Sequence, residues 1–388
     1  MTSDEESSRV NMPYLPDDLL LNCLARVSRL YYPILSLVSK RFRSLIASHE
    51  LYQIRTLLRR TESCLYVCLR LSSGSKQRWF TLSQRPTRVP NPNPNPSSGC
   101  FTPCFRLCTR MEDKKPSGNL LVSVQATHNS SPLFWQARAA IGSNIYTIGE
   151  SSSKVFFLDC RSNTWHEAPS MQIARRYPVI RVLNGKLHVL EIGMVHDPSN
   201  SMEIFDPKTQ VWEHVSCPRA EILGQSSGFR ILAKDGKFYV FGDKNMVYKP
   251  EENKWSVVQD LDMRLSWAPY TSSCVIENVM YSSKMSRRLK WYDSERKLWR
   301  GLKGLGKLPK LPNRYSRVRL VNYGGKIAVL WDKKVRAIGS DKKRIWCAVI
   351  AVERRSNEQE IYGKIEWCDV VLTVPKSCKL LQILAVTV

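Results

Sequence analysis

Cysteine and histidine, the side chains most often used for metal binding and nucleophilic chemistry, are numerous in this sequence but scattered. The 388 residues include 12 cysteines and 6 histidines. Only Cys100, Cys104 and Cys108 form a cluster, and its C-x3-C-x3-C spacing matches no zinc pattern, with no histidine near it before His128. We therefore predict no metal site and interpret the cluster as part of an unstructured insertion. Most of the other cysteines are expected to be small buried side chains in a reducing compartment.

Motifs for catalysis are missing from the sequence as well. No two of the six histidines stand at metal-ligand spacing; they are His49, His128, His166, His188, His196 and His214. The sequence contains no G-x-S-x-G nucleophile elbow, no P-loop and no H-E-x-x-H zinc motif. We accordingly predict a protein without catalytic residues, metal or cofactor, in which any chemistry belongs to partners.

Positive charge is the remaining feature that could bind a partner, and it is unevenly distributed. The chain carries 59 Lys+Arg against 34 Asp+Glu, a net charge of +25. Residues 284–319 hold thirteen basic residues against two acidic ones, and residues 326–344 add a net +5. Three interpretations stay open for residues 284–344: a docking site for an acidic protein, a nucleic-acid site, or a solvated basic surface. Few aromatic residues suited to base stacking lie between these charges, which makes nucleic acid the least favoured.

Composition and length limit the class of protein. Hydrophobic residues make up 43% of the chain, enough for a sizeable core, and the length predicts two or three domains. No apolar run approaches the roughly 18 residues of a membrane span. The N-terminus contains Asp4, Glu5 and Glu6 and lacks the basic-then-apolar pattern of a signal peptide. We expect a soluble protein of the cytoplasm and/or nucleus that makes no membrane contact.

The elements that would position a binding surface begin with short helices in residues 13–60. Leu15-Pro16-Asp17-Asp18 is typical of a helix start, because proline suits the first turn and aspartates complement the positive helix end. The spacing predicts a first helix, a second helix that begins at Pro33, and a third near residues 50–60. The apolar faces of the first two helices consist of Leu19, Leu20, Cys23, Leu24 and Val27, and of Leu35, Val38, Phe42, Leu45 and Ile46. So small a module is expected to need a second surface, either a partner's or the rest of the chain's.

This helical stretch resembles an F-box, the module that binds the Skp adaptor of SCF ubiquitin ligases. The resemblance rests on LPDDLL at residues 15–20, LARV at 24–27 and LSLVSKRFRSLI at 35–46, in the expected order. It implies that eleven residues form or support the adaptor-binding face: Leu15, Pro16, Leu19, Leu20, Leu24, Val27, Leu35, Val38, Ser39, Lys40 and Phe42.

The sequence from about residue 119 onward is periodic. Trp165, Trp212, Trp255 and Trp299 are separated by 47, 43 and 44 residues. Six residues before each tryptophan stands a turn residue: Asp159, Asp206, Lys249 and Asp293. A tight-turn sequence followed by an apolar strand precedes each of three tryptophans and recurs after the fourth; one example is Asn184-Gly185. Aspartate suits a turn because its carboxylate can accept a hydrogen bond from the backbone two residues on, and tryptophan can fill the gap between units.

Four-stranded units of 43 to 47 residues predict a β-propeller. The units resemble kelch repeats, although the paired glycines that end the second kelch strand are largely replaced. We therefore predict a mainly β protein: a kelch-type propeller of about six blades, with five or seven as alternatives, and a small N-terminal α-helical F-box. Copper oxidases share the kelch architecture, so a Tyr–Cys or Cys–His site between blades stays an alternative that no ligand spacing favours.

The resemblances and composition divide the chain into four parts. We assign 11–60 to the F-box, 62–83 to the strands of a divergent first blade, 84–118 to a Pro/Asn-rich low-complexity insertion in or after that blade, and 119–388 to the kelch-repeat propeller. The last blade offers two tryptophans for the repeat position, and strand order favours Trp367 over Trp346. The apolar residues 380–388 are predicted to pair with the first blade and complete the ring.

Together, the two resemblances imply the substrate-recognition subunit of an SCF-type ubiquitin ligase, which lacks catalytic activity of its own. The F-box would bind the Skp-type adaptor and through it cullin. The propeller would hold an unidentified substrate protein for ubiquitination and degradation, acidic if the basic stretch is its docking site, and the combination is typical of plants. The alternative is a free-standing basic propeller scaffold that binds an acidic protein or nucleic acid through residues 284–344.

Overall fold

The computed structural model describes residues 15–72, 77–84, 118–124, 136–191, 201–218, 222, 230–242, 244–258, 272–283, 288–312, 318–335, 340–355 and 360–388. Within these ranges, four short helices precede 24 strands arranged in six four-stranded antiparallel sheets. The predicted mainly β fold with six blades and an N-terminal helical module is confirmed. The Cys100–Cys108 cluster and most of the low-complexity insertion lie outside the described residues.

The helical module consists of α1 (Asp17–Arg26), a 3₁₀ turn (Arg29–Tyr31), α2 (Tyr32–Leu35), α3 (Lys40–Ala47) and α4 (His49–Leu57). Two serines cap the later helices, because the Ser39 hydroxyl accepts a hydrogen bond from the Phe42 amide and the Ser48 hydroxyl accepts one from the Leu51 amide. The prediction of one helix from Pro33 through residue 46 is wrong. The chain turns at residues 36–38, and Ser39 adopts the extended conformation of an N-cap before α3 begins.

Five of the six blades consist of four consecutive strands, whereas blade 1 combines three early strands with the last strand of the chain. Blade 1 contains β1 (Ser63–Arg70), β2 (Gln77–Gln84), β3 (Asn119–Ser123) and β24 (Lys379–Thr387). Blade 2 contains β4 (Gln136–Ile141), β5 (Asn144–Gly149), β6 (Val155–Asp159) and β7 (Thr164–Ala168). Blade 3 contains β8 (Pro178–Leu183), β9 (Lys186–Glu191), β10 (Ser201–Asp206) and β11 (Val211–Ser216).

The second half of the ring follows the same order. Blade 4 contains β12 (Arg230–Lys234), β13 (Lys237–Phe241), β14 (Met246–Lys249) and β15 (Lys254–Val257). Blade 5 contains β16 (Ser273–Ile276), β17 (Val279–Ser282), β18 (Lys290–Asp293) and β19 (Leu298–Gly301). Blade 6 contains β20 (Val318–Tyr323), β21 (Lys326–Lys334), β22 (Lys342–Arg355) and β23 (Glu360–Pro375).

The ring is closed by the last strand of the chain. β24 pairs with β1 along its length, from Ser63 opposite Thr387 to Arg70 opposite Lys379. This confirms the predicted pairing of the C-terminal residues with the first blade, which removes an open sheet edge. The low-complexity insertion joins β2 to β3 and therefore lies inside blade 1, one of the two positions that the sequence left open.

The aspartates of the repeat stabilise the turn between the third and fourth strands. The Oδ1 atom of Asp159 accepts a hydrogen bond from the Arg161 amide at 2.9 Å. Asp206 accepts one from the Lys208 amide at 2.9 Å, and Asp293 accepts one from the Glu295 amide at 3.1 Å. In blade 4 a lysine occupies this position, and the Asn253 amide donates to the Pro250 carbonyl at 3.2 Å; backbone hydrogen bonds also close the turns that begin at Asp159 and Asp206.

The tryptophans of the repeat lie on the fourth strand of their blades, and two of them donate a hydrogen bond to the preceding blade. The Trp212 indole donates to the Pro169 carbonyl at 2.8 Å, and the Trp255 indole donates to the Ser216 carbonyl at 3.0 Å. Trp165, Trp299 and Trp367 also lie on fourth strands: β7, β19 and β23. Trp346 lies on the third strand of blade 6 and stacks on Trp331, with ring centroids 6.0 Å apart.

Candidate functional site

Two short apolar stretches on the helical module are exposed to solvent. Leu15 and Leu19, at the start of α1, are 44% and 48% exposed, and Pro16 between them is exposed as well. In the turn before α3, Leu37 and Val38 are 75% and 63% exposed. Large apolar side chains held in solvent on a small folded module are typical of an interaction surface.

An arginine holds these two stretches next to each other. The Nε atom of Arg41, in the first turn of α3, donates to the Asp17 carboxylate at 2.7 Å, and its Nη2 atom donates to the Leu15 carbonyl at 2.5 Å. The start of α1 and the start of α3 therefore meet. Ser39 and Lys40 lie at the same junction and are exposed. We refer to Leu15, Pro16, Leu19, Leu37, Val38, Ser39 and Lys40 as the α1/α3 face.

The structure separates the eleven residues predicted for adaptor binding into two groups. Six of them lie on the α1/α3 face: Leu15, Pro16, Leu19, Val38, Ser39 and Lys40. The other five pack into or against the hydrophobic core beneath the face: Leu20, Leu24, Val27, Leu35 and Phe42. Leu37 belongs to the face but was not predicted. The sequence does carry a signal for Leu37: it is an apolar residue that lies outside the apolar stripe of residues 35–46, in the segment between Ser36 and Ser39.

The helical module is anchored on the propeller by direct hydrogen bonds to blade 2. The Arg29 guanidinium donates to the Cys160 carbonyl at 2.9 Å. The Tyr52 hydroxyl lies 2.9 Å from the Arg161 carbonyl and 3.0 Å from the Ile46 carbonyl. The guanidinium of Arg29 also lies over the Tyr52 ring, 5.3 Å from its centroid. Burial raises the pKa of Tyr52 to about 12, so its hydroxyl stays protonated and available as a donor at neutral pH.

The helices and the propeller also pack together through a shared hydrophobic core. Buried residues of the helices, of β1 and β2, of blade 2 and of the C-terminus form one cluster, which includes Leu24, Leu51, Tyr66, Leu158 and Val388. Trp165, the repeat tryptophan of blade 2, packs against this cluster. The helices thus obtain from the propeller the apolar surface that so small a module lacks by itself.

Some charges of the basic region are already engaged in ion pairs. Arg300 contacts the carboxylates of both Asp293 and Glu360, and Lys303 also lies near Glu360, at 3.6 Å. Lys343 forms a buried pair with Asp332 on the neighbouring strand. Residues 284–287, 313–317 and 336–339 of this region lie outside the described residues. The described part of the region is therefore a mixture of paired and solvent-facing cations.

A cleft opens within the basic region, between blades 5 and 6. Its volume is about 670 Å³, and it is bordered by the segment that follows β19 and by the start of β23. Its described lining combines arginine and lysine side chains with leucines and one glutamate.

The parts of the chain that the structure describes contain no grouping of three or more His, Cys, Asp or Glu side chains that could hold a metal ion. Of the four described histidines, His49, His166 and His214 are exposed and His188 is buried between blades 3 and 4. No described helix is long and apolar enough to cross a membrane.

Comparison with known proteins matches both parts of this architecture. Residues 12–54 match the F-box domain, and residues 79–372 match the FKB95 Kelch-repeats domain. The putative F-box/kelch-repeat protein At4g11770 of Arabidopsis thaliana is 60% identical, with both chains covered completely. The putative F-box/kelch-repeat protein At4g11750 is 57% identical over 98% of this chain and 99% of the relative, and the F-box/kelch-repeat protein At4g39550 is 47% identical over 97% and 94%, both from the same organism.

Proposed function

Because the chain belongs to the F-box/kelch-repeat family, we propose that it is the substrate-recognition subunit of an SCF-type ubiquitin ligase. Its F-box binds a Skp-type adaptor and through it cullin, and its propeller binds the protein that is ubiquitinated and degraded. The observation that supports this most is the α1/α3 face, an exposed apolar surface on a module that is itself fixed to the propeller by hydrogen bonds and a shared core.

In this proposal the chain performs no covalent chemistry. Ubiquitin transfer is accelerated by proximity, because a substrate held on the propeller has its lysines near the charged conjugating enzyme elsewhere in the complex. Anchoring the helices on blade 2 favours this role, since a fixed angle between the F-box and the propeller confines the substrate to one region of the assembly. The protein would act in the cytoplasm, the nucleus or both.

Adaptor binding can be tested at residues whose replacement leaves the fold intact. Leu15→Ala combined with Leu19→Ala removes apolar area from the exposed face, and we expect the affinity for a Skp-type adaptor to fall at least about tenfold. Leu24 is only 4% exposed and is unsuitable for this test, because its truncation would create a cavity in the core. Leu57→Ala is the matched control, since Leu57 is 82% exposed on α4 and lies outside the face.

The measurement is biolayer interferometry of the purified full chain against the purified adaptor. Unchanged affinity in the double variant, or an equal loss in the control, would show that the α1/α3 face is not the adaptor site.

The net charge of +25 favours a second candidate, a free-standing propeller that binds nucleic acid. In that case the logarithm of the association constant for an oligonucleotide should fall linearly with the logarithm of the salt concentration, and the protein should not bind the adaptor.

A further inference from the structure

The cleft between blades 5 and 6 is formed by close backbone packing. After β19 the chain runs alongside the start of β23, with the Lys303 amide donating to the Ile361 carbonyl at 3.2 Å and the Gly363 amide donating to the Lys303 carbonyl at 2.9 Å. Gly304 has φ +79°, and a Cβ at this position would lie 2.5 Å from the Gly363 carbonyl oxygen. A glycine is therefore required here, and it holds one wall of the cleft against blade 6.

The interior of the cleft is apolar and firmly supported. Leu289 and Leu302 are 1% and 8% exposed and belong to the core cluster shared by blades 5 and 6. Leu305 and Leu308 are partly buried and pack against the same cluster. Because these leucines are held by the propeller core, the cleft presents a preformed surface to an apolar side chain.

The border of the cleft is positively charged. Residues 288–312, all of which are described, contain eight Lys/Arg and two acidic residues. Arg288 and Lys310 are exposed at the border, and among the described residues of the lining Glu360 alone is acidic. Four cations, Arg288, Arg300, Lys303 and Lys310, line the cleft, and Arg300 and Lys303 both contact Glu360.

A cationic border around an apolar interior matches a ligand that carries both features. Carboxylates flanking a leucine-type side chain would meet cations at the border and the leucines inside. In the part of the lining that the structure describes, there is no aromatic residue on which a nucleobase could stack. The nearby Tyr362 ring is covered by the Arg355 guanidinium, 4.1 Å from its centroid, and by the Lys303 ammonium at 5.8 Å. The chemistry therefore favours an acidic polypeptide over single-stranded nucleic acid.

We propose that the cleft between blades 5 and 6 binds an acidic segment of the substrate protein through carboxylates placed beside an apolar side chain. The inference rests on the proposed function, since it identifies where on the propeller the substrate docks. The cleft volume of about 670 Å³ lies within the range of pockets that enclose a small ligand, and it suffices for a few side chains of a longer segment.

The test uses the purified full chain in complex with the Skp-type adaptor as bait for a displayed library of random peptides. We expect enriched peptides to combine Asp or Glu with Leu, Ile or Phe. Binding of the best peptide should weaken at least about tenfold in Arg288→Glu/Lys310→Glu. The matched control, Lys208→Glu/Lys254→Glu, makes the same change of charge at exposed positions on blades 3 and 4 and should bind as the wild type does.

Three results would overturn the proposal: no enrichment, enriched peptides without acidic residues, or equal binding by the two charge-reversed proteins. Displacement of the best peptide by a single-stranded oligonucleotide with higher affinity would also overturn it, in favour of nucleic acid. Adaptor affinity is measured separately for each protein. Failure of the wild type to bind the adaptor would refute the proposed function, and the full chain without adaptor would then serve as bait for the same test of the cleft.

Discussion

Arg55 connects the helices of the F-box to one another and to the chain that enters the propeller. Its side chain is 1% exposed, and its guanidinium donates at 2.6–3.2 Å to five groups. These acceptors are the carbonyls of Ala25, Val27 and Arg60, the hydroxyl of Tyr32 and the carboxylate of Glu62. We predict that Arg55→Met, which keeps much of the side-chain volume and the helix propensity, destabilises the whole protein.

The magnitude follows from the groups that lose their donor. Each buried acceptor left without a partner costs about 1–3 kcal/mol, and removing one member of a buried ion pair costs about 3–5 kcal/mol. Glu62 is one-third exposed and can be rehydrated, so the ion pair contributes at the low end of that range. We expect a loss of about 3–4 kcal/mol in the free energy of unfolding.

Two spectroscopic signals can follow this loss in separate parts of the chain. The first tryptophan is Trp79, so tryptophan fluorescence reports on the propeller, whereas circular dichroism at about 222 nm reports mainly on the helices. Because the helices share a core cluster with blades 1 and 2, both signals should shift together in urea. Arg26→Met, at an exposed position near the end of α1, is the control and should change stability by less than about 0.5 kcal/mol.

Two outcomes would refute this reasoning. A loss below about 1 kcal/mol would mean that the five hydrogen bonds of Arg55 do not stabilise the fold. A shift of the circular dichroism transition without a shift in fluorescence would mean that the F-box unfolds independently of the propeller.

Three further predictions concern the propeller. Burial lowers the pKa of His188 to about 4, below its usual 6.5, so the unfolded chain binds this proton first as the pH falls. The free energy of unfolding should therefore be unaffected by His188 above about pH 6.5 and lower by about 2 kcal/mol at about pH 5. His188→Phe should make urea midpoints less dependent on pH in this range. Gly304→Ala should cost at least about 2 kcal/mol in urea unfolding, because alanine meets both the positive φ and the Gly363 carbonyl, whereas Gly306→Ala, which meets no atom within 4 Å, should cost less than about 1 kcal/mol. Arg175→Met should cost about 3–5 kcal/mol, since it leaves the buried Glu203 carboxylate without its ion-pair partner; a midpoint equal to that of the wild type would contradict this.

The periodic features of the sequence predicted most of the fold. The spacing of Trp165, Trp212, Trp255 and Trp299 identified the blades, because each four-stranded unit repeats the same turn and strand lengths. Trp367 could be preferred over Trp346 from strand order, and it does lie on the fourth strand of its blade. The helical stripe from residue 35 to residue 46 was misleading, since apolar spacing cannot show that Ser39 ends one helical segment and caps the next.

The sequence by itself predicted the class of this protein: a helical module that resembles an F-box, followed by about six blades that resemble kelch repeats. The helices and blades could be predicted because apolar spacing and turn residues recur over short stretches of the chain, whereas the two family assignments rested on the resemblance of its motifs to an F-box and to kelch repeats. Tertiary structure alone decided which of the eleven F-box residues face solvent, through the contact of Arg41 with Leu15 and Asp17. It also decided how the helices sit on blade 2 and which basic residues surround a leucine-lined cleft. These arrangements join residues far apart in the chain, where spacing carries no information on distance.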